Sequence, residues 1–344
     1  MIRRTSAILI GLLLASLGVW FIPSTPQQPG TFGWVDDREQ VRAVAATLPN
    51  PDFRATEAYR AAYDGPEDVF LWDASRKVLG RLIPPRDQKN LGSCVSFGTA
   101  AAVEHLICVQ IANGAAEEYR DLAQEIIYGG SRVEIGGGKI RGDGSVGAWA
   151  AKFVADYGVL PRGVYGSFDL RAYDVSRCRD FGNRGVPDEL EPETKKHPVR
   201  AVANVRSWAE AQAAIRNGYP IAVCSSQGFR MARDADGFCP PQGTWMHCMA
   251  LVGVRGGARP GGFLLNSWGE SAHSGPRGLG DPSPAGFWAD ASVLDRMLKQ
   301  GDSWAFSGFR GFPAKKLDWY AGRVASDELR VASNQPEDVS CVRF

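Results

Sequence analysis

Histidine is scarce in this chain, and neither sign of charge is in excess. The 344 residues hold 4 histidines, and 39 lysines and arginines stand against 38 acidic residues, so the net charge is only +1. This balance supplies no long-range field that would favour nucleic acid as a partner. It also leaves few candidates for a histidine general base, the commonest kind in enzymes.

Two cofactor patterns are missing as well. The seven cysteines include no Cys-x-x-Cys pair of the zinc-binding type, and the glycine-rich stretch 129–147 lacks the Gly-Lys-Ser/Thr ending of a phosphate loop. No metal or organic cofactor is therefore implied.

The odd number of cysteines leaves at least one thiol without an intramolecular disulfide partner, as a nucleophile requires. The pairing of the others in an oxidising compartment cannot be read from sequence: Cys108, Cys178, Cys224, Cys239, Cys248 and Cys341.

The N-terminus has the composition of a targeting segment. Arg3 and Arg4 precede an uncharged apolar run over residues 7–22, which ends at Pro23. The run is short for a spanning helix, which needs about 20 residues, and no small-x-small cleavage site follows it. Residues 1–23 are thus either a signal peptide or a signal anchor. Both predict export, with membrane contact only if the segment stays uncleaved; the oligomeric state remains open.

Helical patterns dominate the first half of the chain and strand patterns the second. Residues 24–68 are either a linker or a short pro-segment. Helices are predicted at 95–111, at 147–157 and after the capping box that starts at Ser207, and strands at 220–224, 246–254 and 263–265. This order predicts an α+β fold with two unlike lobes and a cleft between them.

The stretch before the first long helix carries the strongest chemical pattern. Cys94 would begin that helix, where unpaired N–H groups and the helix dipole favour a thiolate. Gly92 would let a substrate backbone approach closely. Gln88 could direct its amide at the oxyanion that forms when the thiolate attacks a carbonyl group.

A second group of residues lies downstream. His247, on a predicted strand, could take the thiol proton and return it to a leaving amine. Asn266 could accept the imidazole N–H, and Trp268 could shield that hydrogen bond from water. The other histidines lack such a setting: His105, His197 and His273.

These segments together resemble papain-like cysteine peptidases. The stretch Gln88 to Phe97 is similar to the Gln-x-x-x-Cys-Gly-Ser-Cys-Trp pattern of that family, the segment around His247 to its histidine strand, and residues 263–269 to its Asn-Ser-Trp-Gly segment. The resemblance implies cleavage of a peptide or protein substrate by a Cys94-His247-Asn266 set with Gln88. It also implies substrate contacts near Gly92, Ser93, Gly144, Ser145, Cys248 and Trp268, although Cys248 suits a core position equally well.

The resemblance further implies a domain organisation. It predicts a peptidase domain over 69–313, with a helical lobe at about 69–175 and a β-barrel-like lobe at about 176–313, followed by an extension over 314–344. Three departures stand out: Leu91 replaces a cysteine, Val95 replaces a tryptophan, and residues 271–286 form an insert that would reshape or cover the cleft. Two alternatives therefore remain, a catalytically silent binding module and an amidase or transpeptidase acting on cell-wall peptides.

Overall fold

The computed structural model describes residues 30–317 and residue 319. The predicted targeting segment, residues 1–23, and most of the C-terminal extension lie outside these residues, so both stay predictions.

Ten helices and nine strands make up the described part of the chain. The helices are α1 (Arg38–Ala45), α2 (Glu57–Arg60), α3 (Trp72–Leu79), α4 (Cys94–Ala112), α5 (Gln124–Gly130), α6 (Gly147–Asp156), α7 (Val175–Arg184), α8 (Glu191–Thr194), α9 (Trp208–Arg216) and α10 (Ala291–Leu298). The strands are β1 (Val69–Phe70), β2 (Val164–Tyr165), β3 (Phe168–Asp169), β4 (Ala201–Asn204), β5 (Ile221–Phe229), β6 (Pro241–Arg255), β7 (Gly261–Leu265), β8 (Gly286–Asp290) and β9 (Asp302–Ser307).

The long helix α4 forms the centre of the first lobe. Its residues are apolar on every side rather than along one stripe, and a helix of this kind is stable only when other elements surround it. The helix packs against α3, α5 and α6 and against strands β5 and β6. Within residues 30–317 it is the single helix long and apolar enough to cross a membrane, but 83% of that window is buried inside the protein. Its apolar character is therefore that of a core helix.

The second lobe is built on an antiparallel sheet. The strands follow the order β4-β9-β5-β6-β7-β8, and β1 pairs with the far end of β6. Strands β4 and β8 lie at opposite edges and do not pair, so the sheet of the described residues stays open. The two-lobe α+β arrangement is as predicted, whereas the barrel-like closure is not formed.

The residues before the predicted peptidase domain are part of the folded body. Helix α1 packs against α6, and the Phe53 side chain is completely buried. Ala58 donates a backbone hydrogen bond to Phe312 near the other end of the domain. Residues 30–68 thus contribute to the core, which a solvated linker would not do.

Candidate active site

Cys94 is the first residue of α4 and is fully buried. The backbone groups of Cys248, Gly33 and Val95 interact with its sulfur atom and lower the pKa of the thiol. Cys248 follows His247 on β6, so the start of the helix and the histidine strand meet at this thiol. The predicted position of Cys94 at a helix N-terminus is therefore observed.

His247 and Asn266 form a buried hydrogen-bonded pair. The imidazole Nε2 lies 2.8 Å from Asn266 Oδ1, which also accepts the Ser267 backbone N–H at 2.7 Å. Both groups are N–H donors, and only the oxygen of the Asn266 amide can accept them, so the oxygen rather than the nitrogen faces His247. His247 Nδ1 is buried and has no hydrogen-bond partner among the described residues. This nitrogen therefore has an unused hydrogen-bonding position.

Two further side chains enclose this pair. The Trp268 ring lies over His247 with 4.5 Å between ring centroids, as a shield against water would. Behind Asn266, its Nδ2 lies 3.0 Å from His273 Nε2, and His273 is 4% exposed. The Nε2 atom must accept this bond, so Nδ1 carries the His273 proton, facing Cys239 Sγ at 3.8 Å. His273 belongs to the predicted insert, and no motif marks it.

Gln88 is held so that its amide N–H groups face the cleft. Its Oε1 accepts the Ser267 hydroxyl at 2.7 Å, which places Nε2 on the opposite side. Nε2 donates to the carbonyl oxygens of Leu91 at 2.9 Å and Thr31 at 3.0 Å. Trp268 Nε1 donates to the same Thr31 oxygen at 3.2 Å. A backbone carbonyl of the chain itself thus occupies the position at which Gln88 was predicted to bind an oxyanion.

The carbonyl belongs to residues 30–35, which we call the cleft segment. It crosses between the lobes: the Gly33 and Trp34 N–H groups both donate to the Met246 carbonyl oxygen on β6, at 3.0 and 2.9 Å. On the helical lobe, Ser145 donates to Gly33 O at 2.9 Å and accepts from Val35 N at 3.0 Å. The segment therefore lies where a peptide strand would bind between the lobes.

The cleft segment fits against the residues predicted to contact substrate. A Cβ atom on Gly33 would lie 1.9 Å from the Gly92 carbonyl oxygen, so the two glycine backbones are in direct contact. A Cβ atom on Gly144 would lie 2.9 Å from Gly33 O. Ser145 contributes its backbone, whereas the Ser93 side chain is buried, with Tyr173 Oη at 3.4 Å from its hydroxyl.

Cys248 contacts helix α4 rather than solvent. Its side chain is fully buried, and its Sγ lies 2.9 Å from the Cβ position of Gly98, one turn after Cys94. It also lies directly opposite Cys224 on β5. All six cysteines of the described residues are free thiols.

Solved structures are similar to this chain over most of its length. The crystal structure of xylellain, a cysteine protease from Xylella fastidiosa, matches with a TM-score of 0.53 at 16% identity, covering 83% of this chain and 99% of that one. The fold is papain-like. The digestive procathepsin L2 proteinase of the Tenebrio molitor larval midgut matches with a TM-score of 0.49 at 17% identity over 81% of this chain and 78% of that one, and adds no further argument.

No protein-family model matches the chain, and no curated protein matches it. At this identity the solved structure establishes the papain-like fold alone. The two-lobe α+β arrangement expected from the motifs is confirmed by it. The roles of the site residues depend on the contacts described above.

Burial favours the neutral forms of Cys94 and His247 while the cleft segment is bound. Burial raises the pKa of Cys94, which the three backbone groups only partly oppose. Burial also lowers the pKa of His247 to about 4, against the smaller effect of its bond to Asn266. A thiolate-imidazolium pair is disfavoured in both ways. Exposure of the site to water would move both pKa values towards each other.

Three residues of this region carry no sequence signal that predicts their contacts. His273 was discounted, although it holds Asn266. Trp34 and Asp302 were not considered, yet Trp34 Nε1 donates to Asp302 Oδ2 at 2.8 Å in a buried contact across 268 residues. Neither belongs to a local motif, and no spacing rule connects them. Within the described residues, no group of three histidine, cysteine or acidic side chains could hold a metal ion.

Proposed function

We propose that this chain is a cysteine peptidase that is latent while its own cleft segment occupies the substrate site. The observation that supports this most directly is the convergence of three groups on one carbonyl-binding position. Cys94 begins a helix there, the His247 and Asn266 pair lies beside it, and the Gln88 amide points to a bound backbone carbonyl.

The chemistry follows from these groups. His247 Nδ1 would take the Cys94 proton, and the thiolate would attack the substrate carbonyl carbon. The Gln88 amide and the helix N-terminus would stabilise the negative oxygen of the tetrahedral intermediate. The imidazolium would then protonate the leaving amine, and water would hydrolyse the acyl thioester. Asn266 would keep the imidazole in the required orientation.

A peptide is the substrate class that this site suits best. The cleft segment pairs with Ser145 and Met246 through backbone hydrogen bonds, and these depend little on side chains. The same groups would be free to bind another peptide chain once the segment leaves. Its departure is needed for activity, since Gly33 and Gly92 are in contact directly before the nucleophile.

The test compares two cysteines of the same helix in the full chain. Both Cys94 and Cys108 are fully buried in α4. We expect Cys94→Ser to lower hydrolysis of a mixed peptide library by about 10³-fold or more, and Cys108→Ser to leave it nearly unchanged. Each variant is assayed with and without Gly33→Ala, because a Cβ at residue 33 is incompatible with the bound segment.

A thiol-directed epoxide provides the second measurement. Peptide mass mapping should locate the adduct on Cys94, with faster labelling in the Gly33→Ala background. Hydrolysis that survives Cys94→Ser would disprove the catalytic assignment. Rapid labelling of Cys94 without any hydrolysis would favour the binding module. Amide-cleavage or acyl-transfer products that form only from cell-wall peptides would favour the amidase or transpeptidase.

A further inference from the structure

The cleft segment inserts one large side chain into the body of the protein. Trp34 is 3% exposed, its backbone N–H donates to Met246 at 2.9 Å, and it pairs with Ser145 in a parallel bridge. Its indole N–H reaches Asp302 Oδ2 at 2.8 Å, and Asp302 is completely buried. The contact therefore combines an apolar body with a single polar atom at its tip.

The pocket around Trp34 begins next to the nucleophile. Cys248, Cys224 and Asp302 lie directly opposite one another on β6, β5 and β9, so their side chains form a row on one face of the sheet. The row starts at Cys248, whose backbone interacts with the Cys94 sulfur atom, and ends at Asp302. A side chain that extends along this row from the cleft meets the carboxyl group last.

Helix α6 closes the pocket from the other side. A Cβ atom on Gly147 would lie 2.8 Å from both Asp302 oxygens and from Cys224 Sγ, so only glycine leaves space there. The Gly147 N–H donates to Asp302 Oδ2 at 2.7 Å, and Trp304 Nε1 donates to Oδ1 at 2.8 Å. The Ala148 backbone also interacts with this carboxyl group, so three of its partners belong to the peptidase domain and the fourth, Trp34, comes from the cleft segment.

Removal of the cleft segment would leave this carboxyl group with an unused acceptor position at the end of an apolar pocket. A buried acceptor that loses its donor raises the free energy of the open state unless another group replaces the donor. A leucine or phenylalanine side chain could fill the apolar space but could not supply the N–H group. The pocket is therefore selective for the chemistry of the side-chain tip.

We propose that this pocket binds a substrate side chain and that Asp302 selects tryptophan or arginine there, because both place an N–H donor at the end of a long or planar group. The proposal rests on the proposed peptidase function and specifies its substrate class: peptides with such a residue at the position that pairs with Ser145. Trp34 occupies this position as an internal substitute for it.

The first test replaces Trp34 in the full chain and measures the epoxide labelling rate of Cys94, which requires no turnover. Trp34→Arg keeps a donor and should label within about 3-fold of the parent protein. Trp34→Phe keeps the ring but loses the donor, and should label about 10-fold faster because the segment binds less tightly. Labelling of Trp34→Phe at the parent rate would overturn the proposal.

Asp302→Asn separates charge from hydrogen bonding, since it keeps an acceptor oxygen but not the carboxylate. Combined with wild-type Trp34 it sets the baseline rate, because the amide oxygen can still accept the indole N–H while the amide nitrogen faces Trp304 in both backgrounds. Combined with Trp34→Arg it should raise the rate about 10-fold or more, because the guanidinium then lacks its counter-charge. Equal labelling rates with wild-type Trp34 and with Trp34→Arg would show that Asp302 does not determine which side chain binds in the pocket.

The second test uses Trp34→Ala in the full chain, in which the pocket is vacant. A positional-scanning peptide library should protect Cys94 from the epoxide, and tryptophan and arginine at one position should protect about 10-fold better than phenylalanine or leucine. Protection without hydrolysis would refute the proposed enzyme while retaining the pocket. Hydrolysis without this preference would refute the pocket while retaining the enzyme.

Discussion

Asn266 is bonded at both ends of its amide group, to His247 through the oxygen and to His273 through the nitrogen. The bond to His273 prevents the amide from rotating, so we infer that His273 is a positioning residue for His247, the proposed general base. We expect His273→Ala to lower kcat about 10-fold with little change in KM, which is the effect of one lost buried hydrogen bond. Kinetics on one peptide in the Gly33→Ala background would measure this.

Two variants separate positioning from a general loss of packing. His273→Gln offers an acceptor oxygen and should recover part of kcat, whereas His197→Ala, at an exposed residue away from the site, should have no effect. The His273→Ala change should also add little to Asn266→Ala, because both act through the same imidazole. Fully additive effects would contradict this role.

At the residue scale, the sequence marks the positions at which chemistry and local motif coincide, and their catalytic roles stay predictions. Cys94, His247, Asn266 and Gln88 lie in short recognisable segments, and the structure brings all four to one cleft. His273 supports the site from an insert without a motif, and Trp34 contacts Asp302 across most of the chain length. Contacts of this kind depend on tertiary packing, so periodicity and spacing cannot reveal them.

At the scale of elements, the cleft segment depends on the absence of a side chain at residue 33. An alanine Cβ there would lie 1.9 Å from the backbone oxygen of Gly92, and backbone on both sides cannot move away easily. We expect Gly33→Ala to expel the segment and to raise the epoxide labelling rate of Cys94 roughly 5- to 150-fold, in line with an overpacking cost of about 1–3 kcal/mol. Peptide mass mapping over time would measure the rate.

Gly163→Ala is the matched control for this change. The nearest atom to a Cβ there is 3.4 Å away, which is an ordinary contact. This variant should label at the parent rate. If Gly33→Ala also labels at the parent rate while remaining folded, the segment is not what limits access to Cys94.

The elements themselves followed the sequence pattern closely. The apolar run after Cys94 forms α4, and Ser207 caps α9 by accepting the Glu210 N–H, as the capping box predicts. The strand patterns near residues 221, 246 and 263 form β5, β6 and β7. The path of residues 30–68 was left open between linker and pro-segment, because its burial depends on partners far away in the chain.

At the scale of the whole molecule, three buried histidines link folding to pH. Burial lowers the pKa of His105 and His247 to about 4 and of His273 to about 3, against an ordinary value of 6.5. The unfolded chain therefore binds these protons at a higher pH than the folded one. The free energy of unfolding should fall as pH drops below about 6.5, until the folded pKa values are reached.

Burial has the opposite effect on two carboxyl groups. It raises the pKa of Glu104 and Asp302, so the stability associated with their protonated forms is lost as pH rises through those folded pKa values. The total pH dependence is consequently a sum of opposing contributions. A single histidine is best isolated by comparing slopes between two proteins rather than absolute free energies.

His105 suits this comparison because it lies in α4, with its Nδ1 2.7 Å from the Ala101 carbonyl oxygen, and takes no part in the proposed chemistry. We expect His105→Gln to reduce the slope of unfolding free energy against pH, between about pH 6 and 4.5, by close to one proton, or about 1.4 kcal/mol per pH unit. Urea unfolding at several pH values would measure it. Above about pH 7.5 the parent protein and the variant should have the same slope, since His105 is then neutral in both the folded and the unfolded chain. Equal slopes of the two proteins at acidic pH as well would mean that His105 is already protonated inside the folded protein.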